Sequence, residues 1–464
     1  MLTCNLDNPN EKIAEYVGSF LHDPVWVRRR IETVTFLDYD TIRSRTTLDI
    51  QMSTIANLMS DLPLHPSRPL VPLAVLKKDL LANFDLRDAS GNALSVVPRY
   101  VDTFFAFSFL CAEAAKVLGN ELGNVAVEIR QHLKNLVFDF PDIKDKVSFL
   151  TVNKWNSHES WESDVLEKWE ELLENNDFNG YLRDFTFNYI LIAQLPSGPD
   201  VQIVKYSHQS SPRPNLRLSK NTVSELIGFD AAEFSIQAPS IGWDRSYHFQ
   251  VKPPEGVVVT DLYLVRGRRI SEVRRSDNSN DIYNVQMGND FAQAYATDNL
   301  MQASFNFIVL LRVSIVGYLR AAWLSTIFAA AVLLFGDLFL PELRAAVGSR
   351  AEAAVALLLV APSLIAAYLV RPGEHVLASS LLRFLRYLAG LSGLLTYIAA
   401  AVLVLKFRGE TIPTTWNIVT GIAILDTLIF TIAMARTQND VRELVRMTGR
   451  TYQFRVIDVP LIEE

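Results

Sequence analysis

Cysteine is nearly absent from this chain, with only Cys4 and Cys111 among 464 residues. A disulfide-stapled fold needs an even framework of several cysteines, so that class is excluded and two free thiols are expected. The seven histidines, at 22, 65, 132, 158, 208, 248 and 375, include no pair at metal-ligand spacing, which argues against a zinc centre. Also missing are a phosphate-binding glycine loop, a nucleophile elbow and a Cys-x-x-Cys pair. Those local patterns cradle phosphates, expose a catalytic serine or run thiol redox chemistry. No cofactor and no metal is therefore expected, and enzymatic activity is left without a supporting motif rather than excluded. The first 30 residues have no basic start leading into an apolar run and a small-residue cleavage site. A secretory signal is not expected, and the amino-terminal part is expected to stay in the cytosol.

Charge is scarcest in the last third. Four runs, Ala321–Leu340, Ala353–Val370, Tyr387–Leu405 and Thr411–Ala435, are nearly free of ionisable groups. Each approaches the roughly 20 helical residues that cross a hydrocarbon core of about 30 Å. The expectation is an all-α four-helix transmembrane bundle at 316–435. Small residues at four-residue spacing, Ala321, Ser325 and Ala329 and then Ala389 and Gly393, let helix backbones approach closely, within one chain or between chains. From Asn306 onward there are 14 Lys and Arg against 11 Asp and Glu, leaving 30 against 40 before it. The acidic front argues against general affinity for nucleic acid.

Orientation follows from basic residues near the span ends. With the amino terminus inside, Arg312, Arg320, Arg371, Arg383, Arg386, Arg436, Arg442, Arg446 and Arg450 flank the cytosolic side. Arg344, Arg350, Lys406 and Arg408 flank the other. Nine against four favours the inner membrane of a cell, with both termini cytoplasmic.

The soluble region reads as α+β. A short helix spans Asn10–Leu21, capped by Asn8 or Asn10, and hairpins follow around 25–52 and 84–97. From Arg99 to about Asn176 the period turns helical, which closes a first domain at 1–176. Short strands separated by Pro, Gly, Asn and Asp then suggest an antiparallel β-sandwich-like domain at 177–315. Only Ser314–Arg320 separates its last strand from the first span, so the sandwich is expected to sit against the bilayer. The tail, 436–464, reads as a helix and then a strand that returns to the soluble sheet.

Asp426 stands out because an ionised carboxylate in mid-span costs roughly 3 kcal/mol on insertion scales. Its own helix face, Val419, Ile422, Ala423, Ile429, Phe430 and Ala433, offers no polar partner. Hydroxyls at matching depth are Thr396, Tyr397 and Ser363, with Ser325 and Thr326 off-centre. A hydrogen bond that fixes helix packing is the first reading, and an ion, proton or gating role the second. The loop Arg371, Glu374 and His375 joins two spans on the cytosolic side, as a Pro-Gly turn or a receiver of signals from the soluble part. Arg266, Arg268, Arg269, Arg274 and Arg275 crowd between two strands. They form a solvated hairpin tip or a site for an anionic ligand or lipid headgroup. Arg28-Arg29-Arg30 is a weaker version of the same signal.

The stretch APSLIAAYLVRPGEHVLASSLLRFLR, Ala361–Arg386, resembles a segment of uncharacterised bacterial four-pass membrane proteins with a large cytosolic amino-terminal domain. The resemblance implies that topology and no activity. Three functions are open: a sensing or docking domain on a membrane anchor or effector, an oligomeric channel or transporter subunit using Asp426, and a membrane-surface enzyme acting on an anionic substrate. The expected partners are the lipid bilayer and either a second copy of the chain or another protein held by the soluble part.

Overall fold

The computed structural model describes residues 8–22, 25–38, 40–60, 62, 68–78, 82–138, 162–210, 213–214, 231–237, 246–266, 282–287, 291–297, 305–314, 318–338, 355–356, 358–360, 375–404, 411–447, 451–455 and 457–458. Among them the chain is mixed α and β, with three sheets in the front part and long apolar helices at the end.

Helix α1 (Glu11–His22) starts where Asn10 accepts the Ile13 amide at 3.1 Å. The hairpin β1 (Val27–Phe36) and β2 (Ile42–Gln51) follows, its turn closed by Asp38, whose carboxylate accepts the Asp40 amide. Next come α2 (Met52–Met59), β3 (Leu70–Lys77), β4 (Ala82–Asp88), β5 (Ser95–Val96), α3 (Arg99–Val117), α4 (Val127–Phe138), α5 (Ser163–Glu174) and α6 (Asn176–Phe187). Strands β6 (Asn188–Gln194), β7 (Val201–Ser210), β8 (Arg213–Pro214), β9 (Ala232–Gln237), β10 (Ser246–Lys252), β11 (Val257–Arg266), β12 (Ile282–Met287), β13 (Ala292–Thr297) and β14 (Phe305–Val313) complete the front part. Helices α7 (Arg320–Leu338), α8 (Val376–Leu381), α9 (Arg383–Val404) and α10 (Thr411–Met447) follow, then β15 (Thr451–Arg455) and β16 (Ile457–Asp458).

The largest sheet runs β15-β12-β13-β10-β1-β2-β7-β4, the second β16-β11-β14-β9-β8, and the third β3-β6-β5. The largest sheet takes strands from before and after Asn176, so the division expected there does not separate two sheets. Nor is the pairing wholly antiparallel: β1 runs parallel to β10, and β16 parallel to β11. Tail strand β15 pairs antiparallel with β12, from Ile282 opposite Arg455 to Gln286 opposite Thr451.

The hairpin β1–β2 is the wall shared by two cores. On one face Ile42, Ser44, Thr46, Leu48 and Ile50 are buried in alternation, and a bulge after Val27 brings that residue onto the same side as Arg30. At one end Trp26, Val27, Leu48 and Ile50 pack with α1, α3 and the three-stranded sheet. At the other, Val34, Phe36 and Ile42 face Phe234, Leu264 and Phe307 of the five-stranded sheet in a sandwich core. Phe249 stacks on Phe307 at 3.9 Å across that core. The middle of the face is polar: Glu32 accepts from Ser44 Oγ at 3.1 Å and from the Tyr247 hydroxyl at 2.6 Å. Arg30, 1% exposed, donates to the Leu73 carbonyl and the Tyr206 hydroxyl.

Three described helices are long and apolar enough to cross a membrane, Arg320–Leu338, Arg383–Leu403 and Pro413–Asp440, which marks the chain as a membrane protein. The count is three where four runs were expected. Run 353–370 is described only at 355–356 and 358–360, which are helical. The fourth run is also longer than its apolar pattern, because α10 continues without a break through the expected tail helix to Met447. At 1.5 Å per residue its 37 residues extend about 55 Å, well beyond a hydrocarbon core.

Helices α7 and α9 both start beside the sandwich and run away from it, while α10 runs back. Near the sandwich Tyr318, Leu319 and Ala322 cluster with Leu382, Leu385, Ala389 and Phe430. At the far end Ala330 and Leu333 cluster with Leu395, Ala399, Trp416 and Leu358. Three hydrogen bonds tie α7 to α10 from end to end: Trp323 Nε1 to Thr431 Oγ1 at 3.0 Å, Thr427 Oγ1 to the Thr326 carbonyl at 3.1 Å, and Trp416 Nε1 to the Leu333 carbonyl at 3.0 Å. A Cβ at Gly336 would collide with the Trp416 indole. Gly336→Ala is therefore expected to cost about 1–3 kcal/mol by overpacking, read as a lower melting temperature of the detergent-solubilised protein; an unchanged melt would contradict this packing.

Candidate functional site

Two sites join the helices to each other and to the sandwich. The first is a polar layer midway along the bundle, between the two apolar clusters. Asp426 on α10, 2% exposed, accepts a hydrogen bond from Ser392 Oγ on α9, itself fully buried. The second carboxyl oxygen, Oδ1, is buried without a hydrogen-bond partner among the described residues. Ser392 is nine residues from the start of α9, about 14 Å along the axis and so near the middle of that helix. It lies between Ala389, 2% exposed, and buried Gly393, small residues that let the helices approach closely enough for so short a side chain to reach.

Sequence reasoning sought the partner of Asp426 at the wrong level. Thr396 is buried but donates to the Gly393 carbonyl of its own helix at 2.9 Å, and Tyr397 is 58% exposed on the outer surface. Ser363 lies outside the described residues. Ser392 was missed because residues were matched by distance from the ends of the apolar run; α9 begins four residues before that run, which moves its midpoint. The small-residue spacing at Ala389 and Gly393 was the signal that marked the close crossing. Ser392→Ala removes the donor to Asp426 and is expected to cost about 1–3 kcal/mol, whereas Asp426→Asn keeps an acceptor there. Thermal melts of the two variants check the order, and a larger loss for Asp426→Asn would contradict it.

The second site is the joint. Arg312 on β14 meets Asp440 on α10, Nε to carboxylate, at 2.6 Å, with the Arg312 side chain only 11% exposed. Arg386 of α9 donates to Ser379 Oγ at 2.9 Å and lies over the Tyr318 ring at 5.3 Å. The short helix α8 starts at His375, whose Nδ1 accepts the Leu377 amide at 3.2 Å. Leu377 and Ala378 are buried in the sandwich core itself. Gly256 in the β10–β11 turn faces Ala378 with φ +84°, a conformation suited to glycine, and its carbonyl accepts the Ser314 amide at the end of β14.

Of the expected cytosolic loop, His375 is a helix cap, and Arg371 and Glu374 lie outside the described residues. Of the arginine run, Arg266 ends β11, opposite Phe305 and Asp458 in the backbone register. Arg268, Arg269, Arg274 and Arg275 lie outside the described residues. Among the described residues no group of three or more His, Cys, Asp or Glu side chains is placed to hold a metal ion. No protein-family model matches the chain, and no curated protein matches it.

Proposed function

We propose that this chain is a four-pass protein of the cell's inner membrane in which a sensing or docking domain is mechanically coupled to a helical membrane module. The observation that carries the reading is the joint. The sandwich core contains two side chains from α8, Arg312 pairs with Asp440, and the last membrane helix leads into strands that join both sandwich sheets. A displacement in the soluble part must strain these contacts or move the helices.

Parity supports the fourth crossing. α7 leaves the sandwich, α8 lies in the sandwich core, α9 leaves it again and α10 returns. An even number of passes requires one between α7 and α8, where the apolar run 353–370 stands, and Leu358 already packs at the far end with Leu333 and Trp416. Nine basic flanking residues on the sandwich side against four opposite support a cytoplasmic sandwich.

Whether the module only anchors or also perturbs the bilayer is read from vesicles. Hydrogen exchange of the full-length, reconstituted protein tests the coupling. Asp440→Ala is expected to lower protection by about 1–2 kcal/mol both in Phe305–Val313 and in Arg383–Val404. A change confined to the turns around residue 440 would contradict coupling. If dye-loaded vesicles leak no faster with wild type or Asp440→Ala than without protein, the effector half fails and anchoring remains. A channel reading gains less support, because Asp426 is turned into the bundle of a single chain, toward Ser392, and a ring of copies would not present it at a central pore.

A further inference from the structure

Alternation turns one side of β1, β2, β7 and β10 into the cores and leaves the other side facing solvent. On that outer face Arg45, Lys205 and Lys252 are exposed and Arg43 is half-buried. The register brings them together. Thr35 lies opposite Arg43 on one side and Lys252 on the other, and Thr47, two residues beyond Arg45, lies opposite Lys205. With strands about 4.8 Å apart and same-face residues about 6.8 Å apart along a strand, each cation stands within about 10 Å of the next. Arg29 and Arg87, on the same face, are held by Asp49 at 2.9 Å and Asp85 at 2.8 Å. Arg43, Arg45, Lys205 and Lys252 are in no ion pair among the described residues. A basic face thus stands open on a front part that is acidic as a whole.

The complementary charge is on the same chain. Helix α5 buries Val165, Trp169, Leu172 and Leu173, and away from them it carries exposed carboxylates, Asp164, Glu167, Glu171 and Glu174, in a stripe at i, i+3, i+7 and i+10. Its one basic side chain, Lys168, lies 3.5 Å from Asp164. Carboxylates at this spacing repel along the helix, and a cationic surface laid against the stripe relieves that repulsion. Helix α5 packs on α3, α4 and α6, so its stripe and the outer sheet face both turn away from one core. They can meet only between copies.

We propose that copies of this chain associate head to tail, the α5 stripe of one docking on the basic sheet face of the next. The cations run diagonally over about 20 Å by the strand spacings, and the stripe over about 15 Å by the helical rise, a difference that long Lys and Arg side chains bridge. The contact uses a different surface on each copy, so a dimer leaves one stripe and one sheet face open. Growth then continues to a ring or an array, which in a shared bilayer gathers the membrane bundles side by side. Attraction between exposed charges is screened by salt, the screening length falling from about 10 Å at 0.1 M to about 3 Å at 1 M. That assembly is the trigger read by the membrane module rests on the function proposed above; the association itself does not.

Sedimentation velocity of the full-length protein in detergent tests the contact. Wild type is expected to associate at about 0.1 M salt and at least about tenfold more weakly at about 1 M. Arg45→Glu with Lys205→Glu, and separately Glu167→Lys with Glu171→Lys, alter exposed side chains only. Each pair is expected to leave the protein monomeric with its melt unchanged. An equimolar mixture of the two variants is expected to associate again, because the reversed charges match each other. No association of wild type up to about 0.1 mM protein, an assembly indifferent to either variant, or a mixture that stays monomeric would overturn the proposal. Loss with the sheet variant alone would overturn it too and assign the basic face to a different acidic partner. Association that leaves helix exchange and vesicle leak unchanged would defeat the trigger role alone.

Discussion

Glu32→Ala is expected to destabilise the soluble part by about 3–5 kcal/mol, read from the denaturant midpoint of the full-length protein in detergent. The carboxylate lies in the polar centre of the β1–β2 face, half-buried, and accepts from Ser44 and Tyr247. Burial raises its carboxyl above the usual range, while Tyr247, Arg30 and Ser44 oppose that rise. Without it, the guanidinium of Arg30, 1% exposed, keeps its charge in a low-dielectric interior with its neighbouring counter-charge gone. Glu32→Gln retains an acceptor and is expected to cost less. The double change Arg30→Met with Glu32→Leu removes both charges and should recover most of the loss, since a buried pair replaced by apolar groups is often neutral. A Glu32→Ala loss below about 1 kcal/mol would contradict the buried network.

The second large effect is in pH. Asp102 has a native carboxyl near 7 against an unfolded value near 3.9, so protonation favours the folded state. Its contribution is complete below about pH 4 and is lost as pH rises through about 7, a difference of roughly 4 kcal/mol at most. His208 and His248 act in the opposite sense. Burial holds both imidazoles below the usual range, with Arg29 adding to the effect at His248, so their contribution is complete above about pH 6.5 and is lost progressively as pH falls below it. The difference between wild type and Asp102→Asn isolates the carboxyl. The variant is expected to gain on the wild type progressively from pH 4 to pH 8, and a constant difference across that range would contradict the burial of the Asp102 carboxyl.

The periodic parts of the fold were legible in the residues. Alternation at Leu48, Ile50 and Met52 announced β2, although Met52 itself starts α2, because a period of two cannot say where a strand gives way to a helix. The apolar runs announced α7, α9 and most of α10. What alternation cannot carry is the partner of a strand. Nothing local to β1 distinguishes β2 from β10 as a neighbour, and the parallel pairing with β10 joins segments over 200 residues apart. That long-range pairing is also why the division at Asn176 had no counterpart in the sheets. Asp426 was visible as an anomaly of composition. Ser392, Asp440 and Asp102 were not, since each gains its meaning only from a residue on another element.

The central claim is that the chain both enters and leaves the helical bundle beside the sandwich, on one side of a bilayer. Accessibility of single cysteines tests it most directly, in a chain with Cys4 and Cys111 replaced by alanine. Ser90→Cys lies on the soluble part, Gln438→Cys where α10 reaches the joint, and Leu338→Cys at the far end of α7, all three at exposed positions. In sealed vesicles an impermeant maleimide is expected to label Ser90→Cys and Gln438→Cys from the same side and Leu338→Cys from the opposite one. Labelling of Ser90→Cys and Gln438→Cys from opposite sides, or of all three from one side of an intact membrane, would contradict the account.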